Sequence, residues 1–175
     1  WEPVLPTSLR LVQVGGSRMS PDEARYILDN LTPGMSQIFG MAEGMLNFTR
    51  PGDPLDVVVH TQGRPMSPHD EMRVVDENGD EVASGEEGEL LVRGPYTLNG
   101  YYRADDANAR SFSPDGFYRT GDRVRIFSDG PRAGYLEVVG RVKDVIHRGG
   151  ETVSATDLED HLHTHPEIYA AAAVA

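Results

Sequence analysis

Apolar and polar positions along the chain fall into three successive patterns. Leu9 to Val14 is a short apolar run that ends at Gly15-Gly16. Ser20-Pro21-Asp22-Glu23 then carries the marks of a helix start: Ser as N-cap, Pro at the first helical position and Glu three residues after the cap. This predicts strand, glycine turn and helix. Gln37 to Phe39 predicts a second short strand before Gly40, and residues 51–68, rich in Pro, Gly and Asp, are expected to run as irregular chain.

From Met72 the pattern becomes one of paired strands. Arg73 to Asp76 and the segment around Val82 flank Asn78-Gly79, a strong hairpin signal because both turn positions need positive φ. Glu89 to Arg93, Arg123 to Phe127 and Tyr135 to Val139 predict further antiparallel strands, with Ser128-Asp129-Gly130-Pro131 as a connecting loop. The third pattern begins after residue 143. Val145 to His147 reads as a strand and Gly149-Gly150 as a turn; Ser154 with Asp157 caps a helix running to about His163, which Pro166 stops, and Ile168 to Ala175 returns as a strand. The expected fold class is α/β with a β-rich, barrel-like subdomain from about residue 72, followed by the opening of a small α+β unit.

Composition narrows the function classes. With 175 residues, 38% of them hydrophobic, the chain can bury the core of one ordinary domain, and no apolar run approaches the length that spans a bilayer. A basic-then-apolar leader and cysteine are both absent, so neither secretion nor a disulfide framework is supported and the cytoplasm is the expected compartment. A net charge of −12 works against nucleic acid and anionic membrane as partners. A nucleotide ligand would need local positive groups or a metal. The chain starts at Trp1 and ends in an apolar stretch without a cap, so both ends look cut.

Three motifs bring chemistry into view: Phe39-Gly40-Met41-Ala42-Glu43, Tyr118-Arg119-Thr120-Gly121-Asp122, and the run from Gly140 through Lys143-Asp144 to Arg148-Gly149-Gly150-Glu151. In this order they resemble the magnesium-binding, ribose-binding and hinge motifs of the acyl-adenylate-forming enzymes (adenylation domains, acyl-CoA ligases, luciferases). The resemblance implies that residues 1–143 belong to the later part of a large nucleotide-binding domain. Residues 144–175 would then be the hinge and the beginning of a small mobile domain, in a protein about three times longer.

Each site residue has a plain reading beside the one the resemblance implies. Gly15-Gly16 is by itself a tight turn; in the family, Gly15, Gly16 and Ser17 border the space shared by adenine and acyl substrate. Glu43 is by itself a solvated carboxylate. The resemblance makes it the Mg²⁺ ligand, with Phe39 against adenine and Gly40, Met41 and Ala42 beside the nucleotide, although many members carry Thr where this chain has Ala42. Asp122 could be a turn aspartate; the resemblance has it accept from both ribose hydroxyls, as a charged acceptor does well, with Arg141 assisting. Gly88-Glu89-Leu90, Gly94 and Gly100-Tyr101 fit a further family motif read as scaffold. Lys143, the sole lysine, sits beside the hinge residue Asp144, where a domain rotation could bring it to the reacting carbonyl in one of two states. His161, His163 and His165 do not form a persuasive zinc set and suit a helix C-terminus.

The resemblance is closest to the siderophore-type aryl-acid ligases, which adenylate 2,3-dihydroxybenzoate or salicylate. Their pocket positions correspond here to Gln13, Gly15, Ile38, Leu46 and Asn47. Leu46 is the discriminating one, since Leu fills space that a 3-hydroxyl needs and so favours salicylate. The implied chemistry uses ATP and Mg²⁺ to form an aryl-AMP, then transfers the aryl group to the phosphopantetheine thiol of an aryl carrier protein. An acyl-CoA ligase is the alternative within enzymes. A non-catalytic carrier-docking or regulatory module is the alternative outside them. The family's phosphate loop and its second lysine are absent from these residues, so the chain by itself is expected to be inactive.

Overall fold

A computed structural model describes residues 8–148, 151–165 and 167–174. The expected turn at Gly149-Gly150, the stop at Pro166 and the side chain of Asp157 lie outside them.

The first layer is a four-stranded sheet in the order β1 (Val12–Gly15), β2 (Met35–Gly40), β3 (Leu46–Phe48), β4 (Arg64–Pro65). β1 and β2 are parallel and are joined through α1 (Pro21–Asn30). α1 starts where the sequence predicts: the Ser20 hydroxyl accepts from the Glu23 N–H at 3.3 Å, and the Glu23 carboxylate accepts from the Ser20 N–H at 3.1 Å. Val12 and Val14 alternate with Gln13 and Gly15, and only the valine face turns inward.

Residues 51–68 are not irregular throughout. They contain α2 (Leu55–His60), which presses Val57, Val58 and Val59 into the core beside Ala24 and Met35. Three consecutive β-branched residues are weak helix formers. Burial outweighs that preference, and the Gln37 side-chain amide donates to the carbonyls of Val58 and Val59 at 2.8 and 3.0 Å.

The second layer is an antiparallel meander, β5 (Glu71–Val75), β6 (Gly88–Arg93), β7 (Tyr118–Ile126), β8 (Leu136–Arg141), around Leu90, Val92, Val124 and Leu136. The Asn78-Gly79 turn forms, with Gly79 at φ +87° and the Asp76 carboxylate accepting the N–H groups of Asn78 and Asp80. Its expected second strand does not. On the edge of β5 away from β6, pairing is limited to the Val75–Glu81 bridge, with the Asp76 N–H donating to the Asp80 carbonyl at 2.9 Å and the Val82 N–H to the Val74 carbonyl at 3.0 Å. A further helix, α3 (Asp105–Ser111), was not legible: none of its residues is buried, so it lacks an apolar stripe.

The two layers are tied through Gln62. Its N–H donates to the Leu136 carbonyl at 2.8 Å, and the Leu136 N–H donates back to the Gly63 carbonyl at 2.9 Å. Gly63 has φ +86°, and a Cβ there would lie 1.9 Å from the Phe48 carbonyl carbon, so only glycine permits this crossing.

The third unit is the hairpin β9 (Val145–Arg148) with β10 (Glu151–Ser154), followed by α4 (Ala155–His163). Residues 168–174 do not form the expected strand. Backbone donors that a strand would offer to a neighbour are taken by α4 side chains: the Ala171 N–H goes to His163 Nε2 at 3.1 Å and the Ala173 N–H to the Glu159 carboxylate at 2.8 Å. Among the described residues no helix is long and apolar enough to cross a membrane.

Candidate functional site

The C-terminal ends of β1 and β2 open into a cavity of about 530 Å³, within the ~300–1,000 Å³ common for small-ligand sites. All three units wall it. Gly16, Ser17, Ile38, Phe39, Gly40 and Met41 come from the first layer. Asp122, Val138 and Arg141 come from the meander, while Thr156, Glu159, Asp160 and His163 come from α4. Gly140 lies at this convergence, where a Cβ would sit 3.1 Å from the Thr156 hydroxyl.

Asp122 and Arg141 face each other across β7 and β8, in register. Arg141 Nε lies 3.1 Å from Asp122 Oδ1; the carboxylate is 9% exposed and the guanidinium 66%. Gly121, at φ +71°, lies inside β7 where its register with β6 shifts, and the Asp122 N–H is held by the Thr120 hydroxyl at 3.0 Å. Burial pushes the Asp122 carboxyl above its ordinary range, against the opposing pull of Arg141 and Thr120. The result is a largely desolvated acceptor beside an exposed donor fork. Such a pair can grip vicinal hydroxyls.

Gly16 borders the cavity with φ +86° and nothing within 4 Å of where a Cβ would stand. Gln13 and Gly15 share a face of the sheet with Ile38, Gly40 and Leu46: a Cβ at Gly15 would touch Ile38 at 3.2 Å, and one at Gly40 would meet Leu46 at 2.8 Å. This face is largely open. Asn47 does not join them. Strand alternation turns it with Phe39 to the opposite face, where it is fully buried, its Nδ2 3.8 Å from Met72 Sδ and its Oδ1 without a protein partner. The expected five-residue pocket is thereby split into a face of four and one buried amide.

Ala42 and Glu43 occupy the turn between β2 and β3, outside the cavity lining. The Glu43 Oε1 accepts from the Tyr101 hydroxyl at 3.2 Å. Among the described residues no group of three or more His, Cys, Asp or Glu could hold a metal on its own. A single carboxylate of this kind fits Mg²⁺, which dehydrates reluctantly and takes one or two carboxylates together with substrate phosphates. Asp144 lines the cavity and Lys143, one residue earlier, does not.

Sequence reading missed Arg18, Gln62 and the α4 wall. For α4 a signal existed: Thr156, Glu159, Asp160 and His163 follow the i, i+3, i+4, i+7 spacing of one helical face. Gln62 gave none, because it enters through long-range packing.

A profile described as AMP-binding enzyme matches residues 2–102. The chain belongs to this family. It is 63% identical over 174 residues, 99% of its length, to the salicyl-AMP ligase / salicyl-S-ArCP synthetase of Mycobacterium tuberculosis, of which it covers 30%. It is 52% identical over 168 residues, 96% of its length, to the 2,3-dihydroxybenzoate-AMP ligase of Bacillus subtilis, again covering 30% of that protein. Among solved structures, the apo structure of Mycobacterium smegmatis MbtA superposes with a TM-score of 0.76 at 68% identity, over 95% of this chain and 32% of that one. The AMP-binding fold accounts for the mixed sheet, the meander and the appended hairpin and helix. The chain spans about 30% of the length of the curated relatives it matches.

Proposed function

We propose that the intact protein activates salicylate, or 2,3-dihydroxybenzoate, as the aryl-AMP and passes the aryl group to the phosphopantetheine thiol of an aryl carrier protein for siderophore assembly. The observation that carries this reading is the Asp122–Arg141 pair at the mouth of a cavity bordered by Gly16 and Phe39. The named chemistry of relatives more than half identical gives it its substrate class.

In this reading Asp122 and Arg141 bind the ribose, Phe39 and the bare backbone at Gly15, Gly16 and Ser17 receive adenine, and Gly40, Met41 and Ala42 flank the nucleotide. Gln13, Gly15, Ile38 and Leu46 form the wall against which the ring lies, and Asn47 supports that wall from behind. Glu43 holds Mg²⁺, which when bound offsets the charge of ATP phosphates near a chain whose net charge is −12. The aryl carboxylate attacks the α-phosphate and pyrophosphate leaves; the carrier thiol then attacks the aryl carbonyl and AMP leaves. Positioning supplies most of the acceleration. The division into a large domain to residue 143 and a mobile one from 144, the role of Lys143 in the second step, and a cytoplasmic site of action belong to the same reading.

Pyrophosphate exchange by the full-length protein tests it. Exchange should depend on salicylate or 2,3-dihydroxybenzoate and collapse in Asp122→Ala. Exchange driven by aliphatic acids but not by either aryl acid would refute the substrate class, and transfer to coenzyme A in preference to a carrier protein would favour an aryl-CoA ligase.

A further inference from the structure

The turn that carries Glu43 is held from outside its own sheet, by the loop that follows β6. The Leu98 N–H donates to the Glu43 carbonyl at 2.8 Å, and the Leu46 N–H donates to the Tyr96 hydroxyl at 3.3 Å. Gly44, at φ +109°, lets the loop close: a Cβ there would stand 2.4 Å from Thr97 Cα. Met45 beside it sits at φ +146°, a region a side chain seldom adopts, and is buried in the meander core. Such a conformation persists only where its surroundings over-determine it.

The same loop ends at Tyr101, whose backbone is gripped on both sides by one side chain of α3. Asn108 Oδ1 accepts the Tyr101 N–H at 2.7 Å, and Asn108 Nδ2 donates to the Tyr101 carbonyl at 2.9 Å. The Tyr101 hydroxyl lies 3.2 Å from Glu43 Oε1 and 3.0 Å from the buried Tyr118 hydroxyl. A carboxylate can only accept, so the proton order is fixed: Tyr118 donates to Tyr101 and Tyr101 donates to Glu43. Each bond in such a chain polarises the next.

We infer that Tyr101 is a positioning residue for the metal-holding carboxylate: its hydroxyl fixes Glu43 through Oε1 and leaves Oε2 to face the cation. This rests on the reading of Glu43 as the Mg²⁺ ligand, and it gives chemistry to a Gly-Tyr pair that the sequence offers only as scaffold. It also gives α3 a purpose, since that helix buries nothing and its Asn108 fixes Tyr101. Outer partners of metal ligands commonly change metal affinity by about 10–100-fold when removed.

The test is Mn²⁺ binding, followed by electron paramagnetic resonance, to the full-length protein with a non-hydrolysable ATP analogue, alongside the thermal midpoint. Tyr101→Phe is expected to weaken Mn²⁺ binding on the order of tenfold with little change in midpoint. Tyr118→Phe, which leaves the Tyr101 hydroxyl able to donate, should weaken it less. In the Glu43→Gln background the Tyr101→Phe effect should vanish. A Tyr101→Phe protein that loses thermal stability but keeps its Mn²⁺ affinity overturns the inference, while the Glu43 reading stands if Glu43→Gln still weakens binding. Unchanged affinity in Glu43→Gln overturns both. Should Tyr101→Phe fail to fold, an unaltered Mn²⁺ affinity in Tyr118→Phe and in Asn108→Ala overturns it instead.

Discussion

The side-chain amide of Gln62 donates to Gln37 Oε1 at 2.9 Å, while its own Oε1 accepts the Val138 N–H at 2.7 Å. Both glutamines are buried, and Gln37 in turn holds the end of α2. This chain of amides joins the parallel sheet, the helix below it and the meander at the floor of the cavity. Truncating Gln62 to Ala would leave the Gln37 Oε1 acceptor and the Val138 N–H donor without this partner, at up to about 1–3 kcal/mol each. Denaturant unfolding of the intact protein should therefore show a loss of about 2–6 kcal/mol. A loss within 0.5 kcal/mol of zero would mean that the sheets are joined by apolar packing alone.

Asp122 makes a prediction with a definite sign. Its folded carboxyl is raised above the ordinary 3.8, chiefly by burial. A raised acid contributes stability that is fully present below the unfolded value and lost as pH rises through the folded one. Ionised Asp122 is therefore a cost at neutral pH. Asp122→Asn should match the wild type near pH 4 and be as stable or more stable at pH 7, although it removes the proposed ribose acceptor. Thermal melts across this range check it; a mutant less stable at pH 7 than at pH 4, relative to wild type, would contradict the raised value.

The contrast between these two residues explains what was legible. Asp122 is announced by its own motif, and the helix start at Ser20 by a local capping pattern; local chemistry of this kind is written in consecutive residues. Gln62 is not, because its importance comes from partners 25 and 76 positions away. The same reason hid α2, whose valines are strand-like until Gln37 and α1 are in place. The face that Asn47 takes is hidden in the same way: the motif names the residue, but the pleat, set by pairing with β2, decides the face. Tyr101 was visible as a residue and not as a function, since its hydroxyl meets Glu43 only across 58 positions.

Leu46 lies on the open face with Ile38, close enough to Gly40 that a Cβ there would meet Leu46 Cδ1 at 2.8 Å. If the aryl ring rests on this face, shortening Leu46 makes room at the ring edge. Leu46→Val in the full-length protein should raise kcat/KM for 2,3-dihydroxybenzoate relative to salicylate, on the order of tenfold for one methylene. An unchanged ratio would remove Leu46 from the ring wall.

The proposed rotation about Asp144 gives the last prediction. Arg18, just before α1, forms an ion pair with Asp160 of α4, and both side chains are partly buried. In this arrangement Asp144 lines the cavity and the exposed Lys143 does not. A rotation that brought Lys143 to the reacting carbonyl would have to break the Arg18–Asp160 contact, because the two ends of that pair belong to different units. Lys143→Ala should therefore leave aryl-adenylate formation largely intact and slow thioester formation. Asp160→Ala should act in the opposite sense, impairing adenylation more than transfer, if the rotation breaks this contact. Single-turnover measurements of each half-reaction in the full-length protein separate the two. Equal losses in both steps for Lys143→Ala would return it to a solvated surface charge, and equal losses for Asp160→Ala would make its ion pair a general fastening rather than one belonging to a single state.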